Sequence, residues 1–527
     1  MFGLNHLQRE AIGLAFVLER LTPDSPYGIE KKKEMAPLGL SDRKALDDCF
    51  HNIERAILVI GNDGAGFDEC RRLLMSFRNI RGIIRKCETS WLHEVELFEV
   101  KAFLLLLEKL AQVFAETERT ANFADISFVK MDAALSVLDP EGKRMAPFSI
   151  DERHSPALAQ IRRDKAAVEA RLRKLGNRTG DGEWNDANNR RILLAQQEEA
   201  EETQVMKRLS AELSRYAGDF YHNMETIGTL DLAIAKALLA MRFGGVRPRI
   251  NDGECVLLEE MSNPYVAESL ERDGKSFAKT SIRIRRGVTV ITGANMGGKS
   301  VAMQSALLNV ALCRLGLFVF ARNAEIPLFD GIRFIGGDLQ DTNRGLSTFG
   351  AELSTFKEIS SRLKTEFLFV ALDEFAKGTN PEEGAAIARA VAAHLASSGS
   401  ICLMTTHYDN VATPEFPHYR VAGLTEAAYD LLKAKMSAAG DAAGQGIDAS
   451  RGIDAIAAHM DYTLAEVSGR AAPPRDALNI CRLIGLDEDI IRRIECGLID
   501  NRSPSLPAEM AGGDGISPPR QSNSECQ

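Results

Sequence analysis

The first 250 residues set apolar side chains at helical spacing, whereas short continuous apolar runs ending in glycine or acidic residues dominate beyond them. Ala102–Phe114 (AFLLLLEKLAQVF) is apolar nearly all round, which predicts a buried helix. Between Pro156 and Leu175, Leu158, Ile161, Val168, Leu172 and Leu175 recur at three- and four-residue steps, interrupted only by Lys165. A polar, glycine-rich break at 176–182 follows, and Met206, Leu209, Leu213, Tyr216 and Phe220 then repeat the seam. Two such helices predict an antiparallel coiled-coil arm. Val288–Thr292, Phe367–Leu372 and Ser400–Met404 read as strands buried on both faces, the habit of parallel sheets, and Ile332–Ile335 as another strand-like segment.

The strand at Val288–Thr292 runs into GANMGGKS (293–300), a complete G-x-x-x-x-G-K-[ST] phosphate loop, and a helical pattern opens at Lys299. Backbone N–H groups of Gly297, Gly298 and Lys299 can converge on phosphate oxygens at the N-terminus of that helix, where its dipole also favours anions. Lys299 can reach the β- and γ-phosphates of a nucleoside triphosphate, and the Ser300 hydroxyl can ligate Mg²⁺.

Phe367–Leu372 ends in Asp373-Glu374. A carboxylate at that place can hold Mg²⁺ and its neighbour can activate a water. An acidic pair after a strand also serves as a helix cap, but downstream of a phosphate loop it points to the metal. Ser400–Met404 leads to Thr405-Thr406-His407, so His407 is either a γ-phosphate sensor in the crevice of an α/β sheet or a plain surface histidine.

TGANMGGKS, GDLQDTNRGLSTFGAEL (337–353), LDEFAKGTNPEEG (372–384) and TTHY (405–408) together resemble the ATPase domain of the MutS family of DNA mismatch-repair proteins, which are ABC-type ATPases. The resemblance extends through SNPYVAE (262–268), TLDLAIAKALLAMRF (229–243) and 461–495, roughly half of the chain. It implies a mainly helical, lever- and clamp-like half over 1–250 with an arm at about 151–228. An α/β P-loop ATPase domain follows over 251–497.

The resemblance also implies ATP and Mg²⁺ as ligands. Gly293, Asn295, Met296, Gly297, Gly298, Lys299 and Ser300 would form the ATP cradle, with Phe277 on the adenine. Ser300 and Asp373 would hold the metal. Glu374 would be the catalytic base, His407 the switch histidine, and Ser347 a donor to the neighbouring subunit's γ-phosphate in a homodimer. Ala294 stands where the family usually has proline and Val301 where it has threonine. Phe375-Ala376-Lys377 differs from the commoner Pro- or Leu-Gly-Arg, which bears on coupling between two sites rather than on ATP binding.

A formal charge of −10 gives no overall electrostatic footprint for nucleic acid. Arg162, Arg163, Arg171, Arg173 and Lys174 on the arm either meet DNA phosphates or form a solvated face opposite Glu198–Glu202. The nine cysteines are scattered and read as small buried hydrophobes in a reduced cytoplasm, and no run has the length of a membrane span. Residues 434–452 read as a flexible insertion and 498–527 as a disordered tail.

The chain is expected to lack the N-terminal mismatch-reading domain of the full-length sensors and the nuclease domain of some shorter paralogues. Two clients therefore stay open. One is a DNA duplex or branched DNA. The other is a protein, because LNHLQREAIGLAFVLERLTPDSPYGI and LDEFAKGTNPEEG also look similar to MutS-like proteins associated with cobalamin-dependent aminomutases, which implies a reactivating or chaperone-like role.

Overall fold

The computed structural model describes residues 3–500 apart from 63, 146, 177–181, 294–297, 337–347, 409–410, 425–427, 433–458, 468–475 and 484–485. The insertion at 434–452 and residues 501–527 of the expected tail thus lie outside the described residues, as do most of the arm's tip and part of the phosphate loop; the tail's first positions, 498–500, are instead the end of helix Glu488–Asp500. The chain divides into a unit of residues 1–422 with 462–472 and a second of 423–461 with 473–527. In the second, helices Asp476–Leu483 and Glu488–Asp500 form a pair bridged by Arg482 and Glu495.

Within the first unit, helices fill the chain to Phe243 and strands begin at Arg249. The apolar segment Ala102–Phe114 lies inside helix Glu94–Ala121, with Phe103, Leu104, Leu107, Leu110 and Phe114 buried. The arm is formed by helices Pro156–Leu175 and Gly182–Leu213. Ser155 caps the first helix, accepting from Leu158 N, and proline follows at the first helical position, where no N–H is missed. Leu158, Leu194, Val205, Leu209 and Leu213 are buried on the arm. A short 3₁₀ turn at Ser214–Tyr216 leads into helix Ala217–Phe243, so Tyr216 and Phe220 of the expected seam belong to the turn and the next helix.

Ten strands occur among the described residues: β1 (Arg249–Asn251), β2 (Cys255–Met261), β3 (Thr280–Arg285), β4 (Gly287–Thr292), β5 (Asn323–Pro327), β6 (Gly331–Ile335), β7 (Leu368–Asp373), β8 (Ile401–Thr405), β9 (His418–Gly423) and β10 (Asp461–Glu466). A four-stranded mixed sheet has the order β1-β5-β2-β3, and a six-stranded sheet the order β10-β9-β4-β8-β7-β6. In the second sheet β9, β4, β8, β7 and β6 pair in parallel. Their side chains alternate between two cores: Phe369, Ala371, Ile401 and Leu403 face one, Leu368, Val370, Leu372, Cys402 and Met404 the other. Helix Lys299–Arg314 packs into the first core and helix Pro381–Ala396 into the second, the two-sided cover that a parallel sheet requires.

The first core also takes in the N-terminal helices, from Leu4 through Phe50, Phe103 and Phe220. Lys236, buried on helix Ala217–Phe243, donates to the carbonyls of Leu315 (3.2 Å) and Gly316 (3.1 Å), just past the end of helix Lys299–Arg314. A cation at a helix C-terminus satisfies carbonyls that have no helical partner. No described helix is long and apolar enough to cross a membrane.

Candidate functional site

The site is built where β4, β7 and β8 end side by side. β4 is buried along Gly287–Ile291, and Lys299 is the first residue of the helix that follows its loop. Gly298 precedes that helix at φ +82°, a left-handed conformation, and a Cβ placed there would lie 3.0 Å from the Tyr462 ring. Asn295, Met296 and Gly297, like Ser347 on the later loop, lie outside the described residues.

Lys299 is 2% exposed; its ammonium donates to Gly293 O at 2.8 Å and lies 3.5 Å from Glu374 Oε1. Burial pushes its pKa down, while Glu374 and Asp373 pull it back up. Ser300 Oγ donates to Asp373 Oδ1 at 3.1 Å. The hydroxyl and the carboxylate named separately in the sequence therefore meet.

Glu374 reaches Lys377 with its other oxygen at 2.7 Å. Burial alone would raise its pKa, but Lys377, Lys299 and His407 together hold the carboxyl below its usual range. Its backbone lies at φ +49° and that of Ala376 at +65°. Two non-glycine residues in this region cost on the order of 1 kcal/mol or more each, and such strain collects at functional sites. His407 is exposed just past β8, its ring 4.2 Å from that of Tyr408. Phe277 is half-buried in the irregular segment before β3.

Thr405 was not singled out by its sequence. Parallel register sets it against Asp373. Its hydroxyl donates to Asp373 Oδ1 at 2.5 Å and accepts the Glu374 N–H at 3.0 Å, so one side chain fixes both carboxylate residues. Behind them, Glu352 accepts from Ala376 N (3.0 Å) and the Tyr408 hydroxyl donates to Ala376 O (3.0 Å). The only signal for Thr405 in the sequence is its place at a strand end, which carries no information on which strand lies beside it.

The donors fit a phosphate chain with a divalent cation. A buried ammonium stands at a helix N-terminus, and a hydroxyl and a carboxylate oxygen, both hard ligands, lie in contact beside it. Residues 289–459 match the family described as MutS domain V. Over those residues the chain is similar to the MutS family. MutS domain V is an ATPase domain, and the site just described lies within or beside the matched residues.

A protein named Endonuclease MutS2 from Pediococcus pentosaceus is 25% identical over 488 residues, covering 88% of this chain and 58% of its own length. Proteins of the same name from Halothermothrix orenii and Clostridioides difficile are 32% and 31% identical over 42% of this chain, and 28% and 27% of their own. The chain thus spans well under two thirds of the length of these MutS relatives.

On the arm, Arg162 is paired with Glu198 (2.8 Å) and Glu202 (2.7 Å), and Lys165 with Glu198 (2.5 Å). Arg171 lies 3.9 Å from Glu183, while Arg163, Arg173 and Lys174 are exposed. At the arm's root Arg162 and Lys165 are therefore engaged by its own acids, whereas Arg163 donates to Gln160.

Proposed function

We propose that this chain binds ATP with Mg²⁺ and hydrolyses it, and that nucleotide-driven closure of a homodimer moves the helical arms on DNA. The observation that supports this most is the meeting of Lys299, Ser300, Asp373 and Glu374 at the ends of β4 and β7. Lys299 would hold the β- and γ-phosphates, with backbone N–H groups over 293–298 lining the cradle and Asn295 contacting phosphate. Ser300 and Asp373 would hold the Mg²⁺, which supplies charge neutralisation between the phosphates when bound. Glu374 would orient a water and take its proton, kept in place by Thr405 and Lys377. His407 would sense the γ-phosphate, Phe277 would stack on adenine, and Ser347 would complete the partner's site.

A protein client is the second reading. It is favoured by the engagement of Arg162 and Lys165 within the arm, which leaves less positive charge for DNA phosphates. The relatives' name includes an endonuclease activity; no nuclease activity is proposed for this chain. Steady-state ATPase assays at increasing protein concentration test the dimer-linked reaction. DNA titrations at two salt concentrations separate the clients, since affinity for phosphates falls steeply with salt as counterions are released. A turnover number independent of concentration down to an isolated monomer would count against the closure reading.

A further inference from the structure

A cleft of about 490 Å³ lies at the opposite end of the strands from Lys299. It is lined by residues just before β4 (Arg286), β7 (Glu366, Phe367) and β8 (Gly399), together with the turn after β1 and Arg43 of an N-terminal helix. Its floor is apolar, with Ile250, Leu328, Leu363 and Phe367.

Arg286 is built into the wall. Its Nε donates to Gly253 O at 3.1 Å, and its guanidinium lies 5.3 Å from the centroid of the Phe367 ring. The Phe367 ring is itself stacked on Phe329 at 5.0 Å and 21°. Gly253 has φ +93°, a conformation that strains any residue with a Cβ, and a Cβ there would lie 2.8 Å from Arg286 Nη2 and displace the guanidinium. A guanidinium held against both a backbone carbonyl and a ring keeps its remaining N–H groups pre-oriented, the arrangement that suits a carboxylate or phosphate.

The charges around it do not cancel. Arg43 is paired with Asp252 (3.2 Å), and Glu366 with Arg362 (3.3 Å) and Arg333 (3.9 Å). No carboxylate contact is found for Arg286 or Lys364 among the described residues, which leaves two positive charges on the walls of an apolar-floored cleft. The volume falls within the usual range for small-molecule sites.

We propose that this cleft binds a small molecule carrying a compact dianionic group, a phosphate monoester or a dicarboxylate, on a short apolar body. Arg286 holds the anion through its fork, Lys364 adds the second charge, and the floor covers the apolar part. The site is separate from the phosphate loop and independent of what the ATPase acts on.

The test is ligand-observed NMR titration of the full chain with phenyl phosphate and with phenylsuccinate, in the presence of excess ADP, repeated without ADP to detect competition at the phosphate loop. Saturable binding of either probe is expected, weakened at least tenfold in Arg286→Met and several-fold in Lys364→Met, and unchanged in Arg249→Met, an exposed arginine outside the cleft. Preference for one probe assigns the anion as phosphate or dicarboxylate. Gly253→Ala keeps every charge while disturbing the Arg286 cradle, so it should also weaken binding, with thermal melting used to confirm that each variant is folded. No saturable binding by the wild type, or equal affinity in wild type and folded Arg286→Met, overturns the proposal.

Discussion

In the cleft at the ends of β4 and β7, Lys299 and Glu374 are partners, with 3.5 Å between ammonium and carboxylate and the lysine almost wholly buried. The group expected to hold phosphate is thus engaged by the group expected to activate water. Phosphate oxygens compete with Glu374 for Lys299, so substitutions at the two positions should act in different directions on nucleotide affinity.

Lys299→Ala removes the buried ammonium and leaves Glu374 without one of the charges that hold it ionised. ATP affinity should fall severely or vanish, measured by calorimetry. Unchanged affinity would remove Lys299 from the site.

Glu374→Gln keeps a side chain that can orient water but cannot take its proton. Turnover should fall by about 10²–10⁴-fold, the usual contribution of general base catalysis. ATP affinity should be kept or rise, because the competing carboxylate has lost its charge. Wild-type hydrolysis by this variant would reduce Glu374 to a structural cap.

The phosphate loop and its flanking strand and helix are legible in the sequence because they are local: a buried run, a glycine turn and an amphipathic start lie within 30 residues. Asp373-Glu374 is legible for the same reason. Thr405 is not, since its role depends on β8 lying beside β7, and strand order is not written in either segment. The arm is legible from its seam, but Tyr216 and Phe220 continue the same spacing past a 3₁₀ turn into another helix, so periodicity overran the element's end. The pairing of Arg162 with Glu198 and Glu202, 36 and 40 positions along the chain, depends on the register between two helices, which spacing within one helix does not set.

Gly298→Ala places a methyl group 3.0 Å from the Tyr462 ring at φ +82°. The left-handed backbone alone costs roughly 1–2 kcal/mol for a residue with a Cβ. A lower melting midpoint together with weaker ATP binding is expected. If Gly298→Ala melts and binds like the wild type, this close approach is not part of the loop's geometry.

Arg162→Ala leaves the half-buried Glu198 and Glu202 short of a partner and should destabilise the arm by about 1–3 kcal/mol without changing DNA affinity at fixed salt. Arg173→Ala with Lys174→Ala should do the reverse: stability unchanged, DNA affinity and its salt dependence reduced. Denaturant melts and DNA titrations on the two variants read both effects. The opposite assignment of losses would show that the arm's root, not its tip, meets DNA.

Mixing Lys299→Ala with Ser347→Arg tests the composite site. Each homodimer should be inactive, whereas the heterodimer has one interface with an intact Lys299 and Ser347 from opposite chains and should recover part of the ATPase rate. No recovery in a mixture shown to contain heterodimers would place Ser347 in its own subunit's site or require both sites at once.

Lys236 also limits where the chain can be cut. It comes from a helix encoded before the first strand, yet it covers carbonyls at the tail of the helix whose head carries Lys299. The apolar contacts around it join residues as far apart as Leu4 and Val421. A fragment beginning near residue 250 would keep every motif of the phosphate loop but open that interior to water, leaving the Leu315 and Gly316 carbonyls without their lysine. Such a truncation is expected to give an insoluble product rather than a small working ATPase. Removing only the outer arm, between Ala166 and Gln197, spares this grip and keeps the buried Leu158, Val205, Leu209 and Leu213 of the same core, so it is the deletion from which a folded remainder is expected.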